Sequence, residues 1–200
     1  ITKMPTSEVA LVHRYFLLSQ FCDWNTQTMV NQFARVARDD GEAGKPFPLE
    51  AITQIAILKN RTGQIYDNQF ISEPWLATKV LMPKRSYIFH DRKPQVDHIF
   101  PLNLKGATED YQNAVDVLWN FQPIPAEVNN FKRAKHPKEF LSSEAGAKYF
   151  NSYDFIPDMS SPLWDDHIQF IAEREKKMRS ELESAYGITL ATNPKLNSAS

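Results

Sequence analysis

The sequence predicts an α+β fold that is mostly helical, with one strand–strand–helix unit embedded in it, and three observations carry that reading. Apolar residues recur at helical spacing through the first sixty residues. They do so again after Ser161. Between these regions, two short β-like runs, VDHIF from Val96 and LWNFQPIP from Leu118, precede AEVNNFKRAK, which has helical propensity up to Pro137. The expected division is a helical subdomain over 1–60, a core over 61–140, C-terminal helices over 141–187 and a flexible tail over 188–200.

Taken in order, Val9, Leu11, Val12, Tyr15, Phe16, Leu17, Leu18 and Phe21 leave almost no polar face, so the first helix is expected to be largely buried. A second helix starts at an Asn25 or Thr26 cap and runs to about Arg38, with Met29, Phe33, Val36 and Ala37 on one side. DDGEAGKPFP then breaks it. A third begins at Pro48, a residue suited to a first helical position, with Leu49, Ile52, Ile55 and Leu58 as its apolar face. From Asn60 to Arg92 periodicity fades, and a strand is expected at Ser86 to His90. The last helix is capped by Ser161, has Pro162 at its first position, carries Trp164, Ile168, Ile171, Met178, Leu182 and Tyr186 as a stripe, and ends at Gly187.

Composition narrows the function classes. With 200 residues, 42% of them hydrophobic and 12% aromatic, the chain can bury a core. No apolar run approaches the roughly 20 residues of a membrane helix, and ITKMPTSEVA lacks the pattern of a secretory signal, so no membrane association is expected. A single cysteine, Cys22, excludes an internal disulfide and a Cys-rich structural zinc site, and it fits a cytoplasmic location. Beginning at isoleucine is expected of a fragment of a longer protein. The net charge of −1 argues against a nucleic-acid coat. Lys132, Arg133, Lys135 and Lys138 nevertheless form a local basic edge without an acid among them, able to bind phosphate.

The chemistry concentrates in the middle. In a strand–strand–helix unit, the end of the first strand and the inside of the helix converge, which brings Asp97 toward Asn129. A carboxylate and an amide carbonyl are oxygen donors of the kind Mg²⁺ prefers. His98, next to Asp97 on a strand, points to the opposite face unless the backbone bends there, and histidine is the side chain whose ordinary titration lies near neutral pH. Each residue also has a plainer reading: an Asp-His pair ending a strand is commonly a hydrogen-bonded turn, and Asn120 alone reads as a strand-end cap.

Together, "VDHIFP", "NFQPIP" and "NNFK" resemble the HNH motif of the ββα-metal (His-Me finger) endonucleases, over residues 95–137. The resemblance implies His98 as general base, Asn120 as the residue that orients it, and Asp97 with Asn129 as ligands of Mg²⁺ or Mn²⁺. Asn129 matches the third position because it stands three residues before Lys132, with Asn130 as its competitor. The paired cysteines that hold structural zinc in some members are missing, so no zinc is expected. Lys132, Arg133, Lys135 and His136 are the expected DNA contacts, made to phosphates and therefore with weak sequence preference. More widely, "HRYFLLSQF", "FPLEAI", "DHIFP" and "FIAEREKKM" resemble the C-terminal half of GmrSD-type and SspE-like bacterial anti-phage proteins. That resemblance implies a bacterial cytoplasmic nuclease acting on phage or modified DNA, preceded by an NTP-hydrolysing regulatory domain in the same polypeptide. Double-strand cutting would call for a homodimer. The competing expectation is an inactive ββα module that binds nucleic acid or a partner protein.

Overall fold

A computed structural model describes residues 5–81, 94–148 and 155–192. The fold is α+β and mostly helical, with a two-stranded antiparallel sheet. The chain forms two compact units, one from residues up to Ser72 with those from Glu181 onward, the other from Glu73 to Ser180. The strand–strand–helix unit lies wholly in the second.

In the first unit, α1 (Thr6–Phe21), α2 (Gln27–Glu42), α3 (Leu49–Leu58) and α4 (Asp67–Ser72) surround Trp24, which is completely buried and donates its indole N–H to Thr62 O at 2.9 Å. Tyr15 and Phe33 pack against its ring. Helix α1 is less buried than its composition suggests. Leu17, Leu18 and Phe21 are in the core, while Phe16 is half exposed. Helix α2 runs past Arg38 through the acidic run, and its chain reverses only at Gly44, whose φ of 68° suits a residue without Cβ. Pro48 sits just outside α3 rather than at its first position, and Leu58 is solvent-exposed at the helix end while Leu49, Ile52 and Ala56 carry the packing. Cys22 is buried against Gln64 O, and burial, reinforced by the charge of Asp23, pushes its thiol up to about 12.

The expected flexible tail is partly docked. Ile188 is buried, and Ala191 forms a parallel bridge with Tyr66, donating to Ile65 O at 3.1 Å and accepting from Asp67 N at 2.9 Å. Backbone pairing, invisible to a composition argument, fixes it there. Residues 193–200 lie outside the described set, as does the strand expected at Ser86 to His90.

In the second unit, α5 (Pro74–Leu81) precedes β1 (Pro94–His98), and α6 (Glu109–Val115) occupies the connection to β2 (Phe121–Pro125). Helix α7 (Ala126–Lys132) follows β2 directly, and α8 (Pro137–Ser142) and α9 (Glu144–Ala147) come next. The pairing runs from Pro94 opposite Pro125 to His98 opposite Phe121. Among the described residues both strands are edges, which is where prolines are tolerated. β1 thus starts and ends two residues earlier than VDHIF, and Leu118–Asn120 form a 3-10 turn instead of the start of β2. Helix α6 was not anticipated, although Thr108 caps it by accepting from Tyr111 N. Ser161 caps as expected, but it caps a 3-10 turn over Pro162–Asp165. The long helix α10 (His167–Tyr186) starts afterwards, with Asp166 accepting from Gln169 N at 3.0 Å. Ile168 consequently lies on its exposed side. Gly187, at φ 61°, ends α10.

Candidate active site

Alternation along β1 separates its last residues. Gln95 and Asp97 share the face on which α7 lies. His98 takes the other.

On the helix side, residues three apart on α7 meet residues two apart on the strand. Asn129 Nδ2 donates to Gln95 Oε1 at 3.0 Å, and Lys132 Nζ stands 2.9 Å from Asp97 Oδ2. Gln122, from the facing strand, donates to the same Oδ2 at 3.3 Å. Lys132 also donates to His98 O. Its side chain is 1% exposed and that of Asp97 9% exposed, so this is an interior ion pair. Burial pushes the Lys132 ammonium below the ordinary lysine range, and the Asp97 charge and hydrogen bond hold it partly back up. Lys132 is therefore not a phosphate contact. It turns back onto β1 because α7 stops there, where Arg133 adopts a φ of 49° and leads the chain away.

On the other side, His98 Nε2 lies 2.9 Å from Asp116 Oδ1, and its ring meets the edge of Phe121, its register partner, with centroids 4.7 Å apart. Asp116 follows α6 immediately and had no counterpart among the motif pieces. An acid falling between "DHIFP" and "NFQP" was the only signal in the sequence, and several acids meet that description.

Asn120 is fully buried and spends its amide on the main chain. It accepts from Phe100 N at 2.9 Å and donates to Phe100 O at 2.9 Å and to Val115 O at 2.8 Å. It braces backbone on either side of the site rather than touching the imidazole, whose side-chain partner among the described residues is Asp116.

The remaining basic residues divide by role. Arg133 is exposed, with its Nε on Asn130 O at 3.1 Å. Lys135 Nζ lies 3.8 Å over the Phe131 ring, and Phe131 itself is half exposed. His136 instead caps α8, its Nδ1 accepting from Lys138 N at 3.3 Å while its ring meets the edge of Phe100. Its basic neighbours suggested a phosphate contact; the proline that follows it marks the helix start it caps.

On the helix side, Asp97 and Asn129 carry oxygen donors of the type a hard divalent cation takes. With Nδ2 committed to Gln95, Asn129 has its Oδ1 left to offer, and Asp97 Oδ1 takes part in neither the Lys132 nor the Gln122 contact. Asn130 is exposed and its contact to Arg133 uses its backbone oxygen, so the geometry favours Asn129 as the amide that reaches β1. Among the described residues no three His, Cys, Asp or Glu side chains converge as a metal cluster. A cation here would draw most of its shell from water and phosphate, as Mg²⁺ commonly does. No helix among the described residues is long and apolar enough to cross a membrane. Comparison with family models, curated proteins and solved structures gave no match.

Proposed function

We propose that this chain is a metal-dependent endonuclease of HNH type that hydrolyses DNA phosphodiesters. The observation that carries the reading is the hydrogen-bonded imidazole of His98 at the end of β1, next in sequence to the carboxylate of Asp97 and with Asn129 on the helix that follows β2. Asn120 braces the chain beyond that strand end. The order β1, β2, α7 supports it, since the helix follows its strand without a loop.

The chemistry asked of these residues is modest. His98 accepts a proton from water, a role typically contributing about 10²–10⁴-fold. The water oxygen bonds to phosphorus as the bond to the 3′ oxygen breaks, and that oxygen takes a proton from solvent. Asp97 and Asn129 would hold Mg²⁺ or Mn²⁺, which when bound supplies Lewis-acid relief of charge on the phosphate and the departing oxygen. Arg133 and Lys135 would hold flanking phosphates. In the wider reading, the nuclease is the effector of a bacterial anti-phage protein, its targets phage or modified DNA and its regulator an NTP-hydrolysing domain. That reading rests on motif resemblance.

One observation favours the competing reading of an inactive binding module: Lys132 already neutralises Asp97, as expected of a carboxylate that never meets a metal. Plasmid relaxation in Mg²⁺ or Mn²⁺ separates the two. A nuclease relaxes supercoiled plasmid, and His98→Ala or chelator stops it; a binding module retains DNA equally well in EDTA and cuts in neither. Cuts mapped on mixed-sequence plasmid should scatter, and a single tight consensus would contradict phosphate-led recognition.

A further inference from the structure

We infer that Asp116 is the positioning residue of His98: it holds the Nε2–H and leaves Nδ1 as the imidazole nitrogen able to take a proton. As a general-base assignment this rests on the nuclease reading, but the hydrogen bond itself does not.

The argument starts from the partner's chemistry. An ionised carboxylate only accepts hydrogen bonds, so the 2.9 Å contact requires the proton to sit on Nε2. A neutral imidazole has one N–H, so its lone pair is then on Nδ1. The second constraint on the ring is Phe121, set almost perpendicular to it at 81°, which limits rotation about the side chain.

The two partners are also held by one residue. Asn120 bonds the backbone of Phe100, two residues beyond His98, and the carbonyl of Val115, the residue just before Asp116. A single buried amide therefore sets the spacing between the strand end that carries the imidazole and the helix end that carries the carboxylate. Asp116 N also bonds Gln112 O at 2.9 Å, so the carboxylate leaves a capped helix end rather than a free loop. The Asn120 expected to orient the base does so at one remove, through Asp116.

The decisive measurement is long-range ¹H–¹⁵N NMR of histidine-labelled full chain in alkaline buffer, with His98 assigned by its loss in His98→Ala. The expected result is a pyrrole-type shift at Nε2, a pyridine-type shift at Nδ1 and a downfield Nε2 proton that disappears in Asp116→Ala. In the plasmid assay Asp116→Ala should lower kcat by roughly 10- to 100-fold with KM unchanged. Asp110→Ala, an acid removed from the exposed side of α6, should change neither. A pyridine-type Nε2 in the wild type, or wild-type kcat in Asp116→Ala, overturns the assignment. A wild type that shows the Nε2–H signal but cuts no DNA supports the dyad and removes the nuclease reading instead.

Discussion

Asp97 and His98 are chain neighbours in opposite surroundings. The Asp97 side chain is 9% exposed and locked to a lysine, whereas that of His98 is 24% exposed and bonded to an acid that is itself 60% exposed. The first arrangement is structural in its energetics. Removing two charges from water is costly, and the pair survives because each atom finds further hydrogen bonds, to Gln122 and to the His98 carbonyl. The second is weak as a stabilising contact, since water competes for both partners. A strand can thus place a strongly held group and a reactive group one residue apart, with the pleat keeping their environments separate.

Breaking the buried side should have the largest effect on stability. Lys132→Ala leaves the Asp97 charge without its partner and is expected to cost about 3–5 kcal/mol in urea unfolding. The paired replacement Asp97→Leu with Lys132→Met should recover most of that loss, and a double mutant as unstable as Lys132→Ala would show that the pair is not the source. Asn120→Ala should come next, at about 3 kcal/mol, because it strands backbone groups of Phe100 and Val115 in the interior. His98→Ala sharpens the contrast: stability should stay within about 1 kcal/mol of wild type while plasmid relaxation is lost. A large fall in stability would make His98 part of the packing and remove the difference from Asp97. The smallest effect is expected from Arg133→Ala, which should leave folding unchanged and reduce the salt slope of DNA binding by about 1, read from affinity titrations at several salt concentrations.

What could be read from the sequence follows from the range over which each feature is determined. The helices α2, α3 and α10 announce themselves through local periodicity and turn residues, and the order β1, β2, α7 through two short β-like runs and a helical one. Their ends were less legible. Pro48 and Ser161 sit at real boundaries, yet Pro48 lies outside its helix and Ser161 caps a 3-10 turn, because local signals mark a change of conformation without specifying which follows. The site divides similarly. Asp97, His98, Asn120 and Asn129 were singled out by the motif resemblance, but the burial of Lys132 is set by where α7 stops against β1, a tertiary fact. From the sequence it was one cation in a basic run. Asp116 was hidden for the opposite reason: it is an ordinary acid made special only by the turn that delivers it to His98.

The bridge between Ala191 and Tyr66 sets an order of assembly. On a ribosome the unit from Glu73 to Ser180 is an uninterrupted stretch and emerges whole, whereas the other unit, whose two segments flank it in the sequence, is begun first and completed last. Helices α1 to α4 are made before the residues after Gly187 that bond Ile65 O and Asp67 N. Contacts so distant in sequence are slow to close, and the apolar surface they cover is exposed in the interval. The segment carrying His98 can therefore be folded before the N-terminal helices have finished folding.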